Sequence, residues 1–339
     1  MNAADRLRFC LSETALSVPD LSFPEPTLLG MSAVGAPCAA VDGWPRQSVR
    51  TPRLPAGAPT LYEYWFAATS CRRGRYGDIR YSATPSLLFG VVELDEAAFT
   101  PASGTPLSAA AETAYRQIFA LLAEEDRPHL WRVWNYVPEI NRVEHSLERY
   151  RQFNIGRHQA FGAFERPVDS SPAACALGVG PGPLSIAFLA ARTPADAIEN
   201  PRQVSAFVYP SQYGPKSPTF TRAALARLEG QAWLFISGTA SIVGHETVHV
   251  GDVAAQTRET MVNIGVLVDE ANRRLGADGF SLSRLCYRVY VRHAADYPLV
   301  RQALVEAVGP TLQAVYVQAD VCRHDLLMEI EAQACHPLA

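Results

Sequence analysis

The sequence lacks the features that mark several common classes of protein. Residues 1–20 hold no basic end followed by an apolar run and a small-residue cleavage site, and no apolar stretch is long enough to span a bilayer. A net charge of -4 with mixed signs indicates neither a basic nucleic-acid surface nor an acidic tail. We therefore expect a soluble cytoplasmic protein that binds neither membranes nor nucleic acid.

Cysteine is present but shows no organised spacing. The seven cysteines are odd in number, widely scattered and free of any CxxC pair. This pattern argues against both a disulfide framework and a zinc ribbon. We expect reduced thiols and no structural metal.

The length and the order of predicted elements indicate a duplicated fold. A chain of 339 residues with 48% hydrophobic residues usually divides its core into two domains. Strands and helices follow in the same order in each half, and residues 132–137 are echoed by residues 288–293. With a boundary within 195–230, we assign an N-terminal domain to 1–195 and a C-terminal domain to 196–339. The predicted class is α/β (α+β), with a mixed β-sheet packed by helices in each domain.

Local patterns place the individual elements. The many prolines of residues 15–60 predict an irregular segment that wraps the first domain. Residues 174–191, with a Gly-Pro-Gly turn, predict a hairpin. Apolar residues at helical spacing predict helices over residues 107–125, 143–161, 252–275 and 297–308.

The clearest pattern lies in residues 311–335, where polar and apolar residues alternate on both sides of a polar turn. We interpret it as a tight antiparallel hairpin in which Asp320, Cys322 and Glu329 share one face. Such a face is usually a solvated sheet surface. Alternatively, two acids at a strand end raise one another's pKa, as a general acid requires. The pattern alone leaves both interpretations open.

Residues 245–249 match HExxH, in which a helix places two histidines and a glutamate around zinc. Here Gly244 and Gly251 flank the motif, a strand pattern precedes it, and no third ligand follows at the expected distance. We therefore expect no metal site.

Other candidate residues have an ordinary explanation beside a functional one. Gly238 at a strand end marks a bulge or lets a ligand approach the backbone. Residues 150–157 mix aromatic and guanidinium groups, which suits a flat carboxylate ligand, but the pattern alone favours a helix with salt-bridged flanks. Tyr213 in a loop and Arg301 on an amphipathic helix fit ordinary surface positions, and Cys322 fits a small buried hydrophobe.

Six motifs carry a resemblance to known families: residues 32–43, 209–215, 237–245, 252–264, 288–293 and 319–332. Through those of its second half, the chain resembles the small trimeric imine deaminases of the reactive-intermediate (Rid) family. The whole chain resembles, more specifically, the chorismatases of actinomycete polyketide pathways.

The chorismatase resemblance implies two tandem Rid-like, chorismate-mutase-like domains, no cofactor, and chorismate as the substrate. It implies that Glu329 is the catalytic acid/base. Cleavage of an enol ether requires protonation at carbon, and the resulting oxocarbenium ion is stabilised by nearby carboxylates. Tyr150, Arg157, Tyr213 and Arg301 are the residues expected to hold the two carboxylates of the substrate.

Within that family, the resemblance favours one product type. Gly238 and Cys322 match the type that forms 3-hydroxybenzoate and pyruvate for polyketide starter units, where Gly238 would enlarge the pocket beside the ring and Cys322 would assist a proton transfer. The alternative is hydrolysis to 3,4-dihydroxycyclohexa-1,5-dienoate and pyruvate, and a second is a Rid-like imine deaminase or ligand-binding protein. A homotrimer and a monomer both stay open.

Overall fold

The computed structural model describes residues 6–15, 27–35 and 43–338. Within these residues it shows an α+β fold with three main β-sheets, two of which are packed by helices. The predicted fold class is confirmed. Part of the segment at 15–60 and most of the motif at 32–43 lie outside the described residues.

The N-terminal region forms a sheet of its own. Its order is β1-β5-β2-β3, with β2 antiparallel to β5 and parallel to β3. The strands of the region are β1 (Leu7–Ser12), β2 (Leu28–Val34), β3 (Arg46–Val49), β4 (Arg53–Leu54) and β5 (Leu61–Ala67). The expectation of an irregular segment is therefore wrong for the described part: its prolines fall largely between short strands.

The first half continues with a six-stranded sheet of order β12-β9-β13-β8-β7-β6. Helices α1 and α2 cover one of its faces. The elements are β6 (Arg72–Tyr76), β7 (Ile79–Ala83), β8 (Leu87–Leu94), α1 (Pro106–Glu124), β9 (His129–Pro138), β10 (Val143–Glu144), β11 (Leu147–Glu148), α2 (Arg149–Ala163), β12 (Ala173–Val179) and β13 (Leu184–Ala191). The second helix starts later than predicted because β10 and β11 pair as a short ribbon in front of it.

The second half forms a seven-stranded sheet of order β14-β15-β16-β21-β19-β20-β4. Its elements are β14 (Ala195–Ile198), β15 (Ala223–Leu228), β16 (Gln231–Thr239), β17 (Ile242–Val243), β18 (Glu246–Thr247), α3 (Val253–Leu275), β19 (Cys286–Val291), α4 (Tyr297–Val308), β20 (Gln313–Gln318) and β21 (Met328–Pro337). Asp252 caps α3 by accepting a hydrogen bond from the backbone of Ala255. Gly276, at φ +74°, ends the helix in the left-handed conformation.

Both predicted hairpins are wrong, and for the same reason. β20 and β21 do not pair: β19 lies between them, parallel to β20 and antiparallel to β21. In the first half, β9 separates β12 from β13 in the same way. Each helix after the middle strand makes a crossover to a parallel neighbour, and the last strand then returns on the other side. Strand periodicity identifies the strands but not the partner of each.

The same strand order recurs in the two halves. The series β7-β8-α1-β9-α2-β12-β13 and β15-β16-α3-β19-α4-β20-β21 build sheets in which corresponding strands are neighbours. This agreement supports the predicted duplication. The chain passes from one sheet to the other between β13 and β14, and the domain boundary at 195/196 stays a prediction.

The core has three main layers. One apolar cluster lies between the first sheet and its helices, and a second lies between the second sheet and α3 and α4. The third lies where both sheets face each other and the N-terminal sheet, and it contains Trp65, Trp134 and Trp233. A polar side chain within this central layer is therefore held by neighbours from all three sheets.

Candidate active site

Glu329 points into the junction between the two halves. Side chains alternate along β21, so that Met328 and Ile330 join the core beneath the helices, whereas Glu329 and Glu331 face the opposite side. Glu329 pairs with Tyr290 on β19, not with Asp320 as the hairpin required. The carboxyl is nonetheless only 4% exposed.

A cavity of about 190 Å³ opens beside Glu329. A smaller recess continues inward toward α2 and β12. Residues from both halves line the outer cavity, and most of them are aromatic, charged or amide-bearing. The main contributors are Tyr150, Arg151, Tyr209, Gln212, Tyr213, Phe220, Arg222, Gly238, Cys322, Arg323 and Glu329.

The environment of Glu329 keeps its proton at neutral pH. Burial raises its pKa to about 8, and the nearby Glu331 adds to the increase, whereas Arg132, Arg222 and Arg292 act in the opposite direction. Burial disfavours the charged form of a carboxyl, and a like charge does the same. A carboxylic acid that is neutral near pH 7 and faces a cavity is equipped to donate a proton.

Glu331, two residues further along β21, is surrounded by cationic and hydroxyl groups. Its carboxylate accepts hydrogen bonds from Arg132 and from the hydroxyl of Tyr290, and it lies 3.1 Å from Arg288. Arg288 also forms an ion pair with Glu63 of the N-terminal sheet. This buried network joins all three sheets directly behind Glu329.

Gly238 lies at a β-bulge and makes room for the acid. The pairing of β16 with β21 shifts register between Ile236 and Thr239. A Cβ at position 238 would lie 2.8 Å from Cδ of Glu329, and closer still to its Oε1. The bulge interpretation of this glycine therefore holds, and the group that approaches it closely is the side chain of Glu329. Approach of a ligand to its backbone stays a prediction.

The thiol of Cys322 lies beside this carboxyl, with its Sγ 4.0 Å from Oε2 of Glu329. Cys175 on β12 lines the same inner recess. Burial raises the pKa of Cys322 to about 12, and Glu329 contributes to the increase. Cys322 is therefore a neutral thiol beside the acid, able to donate or relay a proton but not to act as a thiolate.

Arg157 and Tyr150 reach the inner recess from α2. Arg157 is 2% exposed, and its guanidinium lies 4.9 Å from the ring centre of Tyr115. Among the described residues, its Nε and Nη2 have no hydrogen-bond partner. Burial raises the pKa of the Tyr150 hydroxyl, so it stays protonated. A buried guanidinium with unused donors beside a cavity is suited to an anionic ligand.

At the outer end, guanidinium and aromatic groups stack. Arg323 lies 3.9 Å from the ring centre of Tyr213 and 5.1 Å from that of Tyr209. It donates to the carbonyl of His245, and within the described part of the chain its Nη2 has no partner. Arg222 donates to the hydroxyl of Tyr209. Sequence reasoning missed Arg222 and Arg323, since lone arginines have no distinctive spacing.

Comparison with known proteins identifies the family. The family described as chorismatase FkbO/Hyg5-like, N-terminal, matches residues 63–190. A 3-hydroxybenzoate synthase of Streptomyces hygroscopicus is 38% identical over 290 residues, which make up 81% of this chain and 82% of that protein. The chain belongs to the chorismatase family.

Two further proteins match this chain over most of its length. A chorismatase of Streptomyces rapamycinicus is 36% identical over 298 residues, 86% of each chain. A crystal structure of a chorismatase at 1.08 Å resolution is 34% identical, has a TM-score of 0.87 and covers 98% of this chain and 100% of its own. The sequence-based expectation of this family is confirmed.

The structure brings together most of the predicted site residues of this chorismatase. Glu329, Cys322, Tyr150, Arg157, Tyr213 and Gly238 all line the cavity or its inner recess. Arg301 does not: it is exposed on α4, behind the second sheet, and lines neither space. Its expected contact with the substrate is therefore not supported, because α4 packs on the face of the sheet opposite to Glu329.

The HExxH motif takes another role. Residues 245–249 contain the short ribbon strand β18 and precede α3, so the motif has no helical backbone. Nδ1 of His245 lies 3.2 Å from the hydroxyl of Tyr213. Across the described residues, no three His, Cys, Asp or Glu side chains are grouped so as to hold a metal ion.

None of the described helices is both long and apolar enough to cross a membrane.

Proposed function

We propose that this chorismatase family member converts chorismate to 3-hydroxybenzoate and pyruvate. The observation that carries the proposal is a buried carboxyl, Glu329, whose pKa is raised to about 8 and which faces a cavity lined by arginines and tyrosines. A protonated acid in that position meets the requirement of an enol ether, which is cleaved after protonation at carbon. The relative named 3-hydroxybenzoate synthase supports the choice of product.

Two arginines are placed to bind the two carboxylates of chorismate. Arg157 lines the inner recess, and Arg323 lines the outer cavity. Each has buried N–H groups without a partner among the described residues, so a carboxylate would satisfy donors that are otherwise costly to bury. Tyr150 and Tyr213 add hydroxyl groups to the lining of the cavity that Glu329 faces. Binding at both ends fixes the ether bond near the acid.

In the proposed reaction, Glu329 gives its proton to the methylene carbon of the enol ether. The resulting oxocarbenium ion is captured by the neighbouring ring hydroxyl, which releases its proton to the Glu329 carboxylate. The ether oxygen then separates from the former enol carbon and stays on the ring. The hydroxyl oxygen leaves with pyruvate, a ring proton is lost, and the ring becomes aromatic. The phenolate oxygen takes up a proton, so no water is consumed.

We assign the other predicted residues supporting roles in this reaction. Because residue 238 is a glycine, the Glu329 carboxyl can lie against the backbone at the bulge. Any side chain at position 238 would collide with that carboxyl. Cys322, a neutral thiol 4.0 Å from that carboxyl, occupies the space where an attacking water would be activated and relays a proton instead. Capture by the ring hydroxyl then competes successfully with hydrolysis.

Product identification tests the proposal directly. The purified protein is incubated with chorismate alone, without added metal or cofactor, and the products are separated by chromatography. We expect 3-hydroxybenzoate and pyruvate in equal amounts. Formation of 3,4-dihydroxycyclohexa-1,5-dienoate in place of the aromatic product would support the hydrolytic alternative. Unconsumed chorismate would favour an imine deaminase or a ligand-binding protein.

Labelled water tests the route. The reaction runs in water enriched in heavy oxygen, and pyruvate is reduced enzymatically as it forms so that its carbonyl does not exchange. Intramolecular capture predicts that the trapped product carries no solvent oxygen. Stoichiometric incorporation would show that water captures the intermediate and would contradict the proposed route.

We further propose a cytoplasmic location and domains at 1–195 and 196–339, with the active site at their junction. For the assembly, the central apolar layer is enclosed by three sheets of one chain, which supports a monomer over the trimer that the Rid resemblance allows. Light scattering after size-exclusion chromatography distinguishes the two.

A further inference from the structure

The loop of residues 319–327 carries five of the residues that line the cavity, among them Cys322 and Arg323. It leaves β20, crosses the end of β19 and enters β21, so it has no continuous strand partner. Cys322 and Arg323 project from it into the cavity. Backbone groups outside regular structure need other hydrogen-bond partners when they are buried. The positions of this thiol and this guanidinium therefore depend on the groups that form hydrogen bonds with the loop backbone.

Arg292, directly after β19, supplies three of those bonds to loop carbonyls. Its Nη2 donates to the carbonyls of Val321, at 3.1 Å, and Arg323, at 2.8 Å. Its Nε donates to the carbonyl of Leu326 at 2.9 Å. These three carbonyls lie on both sides of Cys322, so one planar guanidinium fixes the backbone before and after the thiol.

The remaining nitrogen of Arg292 connects the loop to the first half. Nη1 donates to Asp320 at 2.7 Å and to Oδ1 of Asn141 at 3.0 Å. Asn141 precedes α2, the helix that carries Tyr150 and Arg157. The backbone N–H of Gly178 also donates to the carbonyl of Asp320, at 2.7 Å. Arg292 thus joins both walls of the cavity.

A second anchor holds only the end of the loop. The side chain of Gln256, on α3, accepts from the N–H of Leu327 at 2.8 Å and donates to the carbonyl of Asp325 at 2.9 Å. This anchor would persist without Arg292. The part of the loop around Cys322 would not keep its partners, because a lysine ammonium lacks the planar fork that reaches acceptors in several directions.

We propose that Arg292 is a positioning residue that holds the 319–327 loop with Cys322 and Arg323 facing Glu329. It thereby favours capture of the intermediate by the ring hydroxyl over capture by water. The effect on products rests on the proposed function, whereas the effect on the loop does not.

Thiol labelling tests the loop independently of activity. Wild type, Arg292→Gln and Arg292→Lys are treated with iodoacetamide, and alkylation of Cys322 and Cys175 is followed by peptide mass spectrometry. We expect labelling of Cys322 to accelerate about tenfold or more, as the loss of even one charged hydrogen bond allows, while buried Cys175 on β12 keeps its rate. Arg273→Gln, which removes a surface ion pair on α3, is the matched control. Parallel acceleration of both thiols, or no acceleration, would overturn the proposal.

Product analysis of the same variants tests the consequence. Arg292→Gln should lower kcat/KM about tenfold or more and divert part of the chorismate to the dihydroxydienoate, with Arg292→Lys intermediate. A lower rate with 3-hydroxybenzoate still the single product would refute the effect on partition. If Arg292→Gln does not fold, Arg292→Lys carries both comparisons. If the wild-type protein forms neither product, the proposed function is contradicted. The thiol-labelling result still tests the role of Arg292 in that case.

Discussion

The two halves of the molecule share a strand order but differ on the strand that faces their junction. Arg132 on β9 pairs with Leu189 on β13, and Arg288 on β19 pairs with Glu331 on β21. With the two arginines taken as equivalent, Glu331 corresponds to Leu189, and Glu329 corresponds to Ala187. The proposed catalytic acid of the second half therefore has a methyl group as its counterpart in the first.

The neighbouring strand differs as well. The pairing of β8 with β13 is regular throughout, whereas the pairing of β16 with β21 is interrupted by the bulge at Gly238. In this layer of the first half, aromatic rings pack together: Trp134 lies 6.2 Å from Phe89 and 6.0 Å from Trp65, centre to centre.

This comparison shows that a few side chains, and not the fold, distinguish the two halves. One half keeps an apolar face and supplies a wall of the cavity, with Tyr150 and Arg157 as its contribution. The other carries an acid, a bulge that accommodates it and a cation network behind it. A shared scaffold with function in grafted sites is the general pattern for such folds.

The largest effect should follow from removing the acid that distinguishes the second half from the first. Glu329→Gln removes the proton donor while keeping the size of the side chain, so we expect kcat to fall by about 10³-fold, within the range that general acids contribute. Steady-state kinetics with chorismate measures it. Glu112→Gln, in a surface pair on α1, is the control. A rate within tenfold of wild type would show that another group supplies the proton.

The next largest effect concerns the buried ion pairs around Glu331. Arg132→Met leaves the buried carboxylate of Glu331 without one of its ion pairs, and breaking a buried pair from one side typically costs about 3 kcal/mol or more. Leu189 on β13 is the strand partner of Arg132 and serves as the comparison. Leu189→Met conserves side-chain volume and should lower the free energy of unfolding by less than about 1.5 kcal/mol. Urea unfolding of the three proteins provides the free energies. Equal losses would mean that the network adds nothing to ordinary packing.

Filling the space at the bulge with a side chain should lower kcat more than it lowers the stability of the fold. In Gly238→Ala, the new methyl group displaces the Glu329 carboxyl, and we expect kcat to fall about 10²-fold, as misplacement of a catalytic group by about 1 Å does. The matched change, Gly265→Ala, adds a methyl group on α3 where nothing lies within 4 Å. That variant should keep its rate. Retained activity in Gly238→Ala would show that the bulge is not needed to place the acid.

Sequence reasoning identified the elements better than their neighbours. Apolar spacing gave the helices α1, α3 and α4, because one face of each is buried against a sheet. It gave the wrong partner for β20 and β21, since alternation reports which face is buried and not which strand lies alongside. The strands within residues 27–60 were missed because their prolines argued for irregular structure.

The site was predictable only where a motif carried it. Glu329, Gly238 and Cys322 belong to motifs of the family that the chain resembles, and they do meet at one place. Arg222 and Arg323 became visible only in three dimensions, where stacking on Tyr209 places them at the cavity. Arg301 was misplaced because position on an amphipathic helix does not reveal which side of a sheet the helix covers.

The dependence of kcat/KM on pH tests the central claim most directly. Because the folded-state pKa of Glu329 is raised from 4.5 to about 8, the acid is protonated below pH 8 and loses its proton above it. A general acid of this kind predicts a level kcat/KM from pH 6 to about 7.5 and a decline approaching about tenfold per pH unit above 8. A kcat/KM that rises through pH 8, or that declines with a midpoint near the ordinary glutamate value of 4.5, would contradict the account.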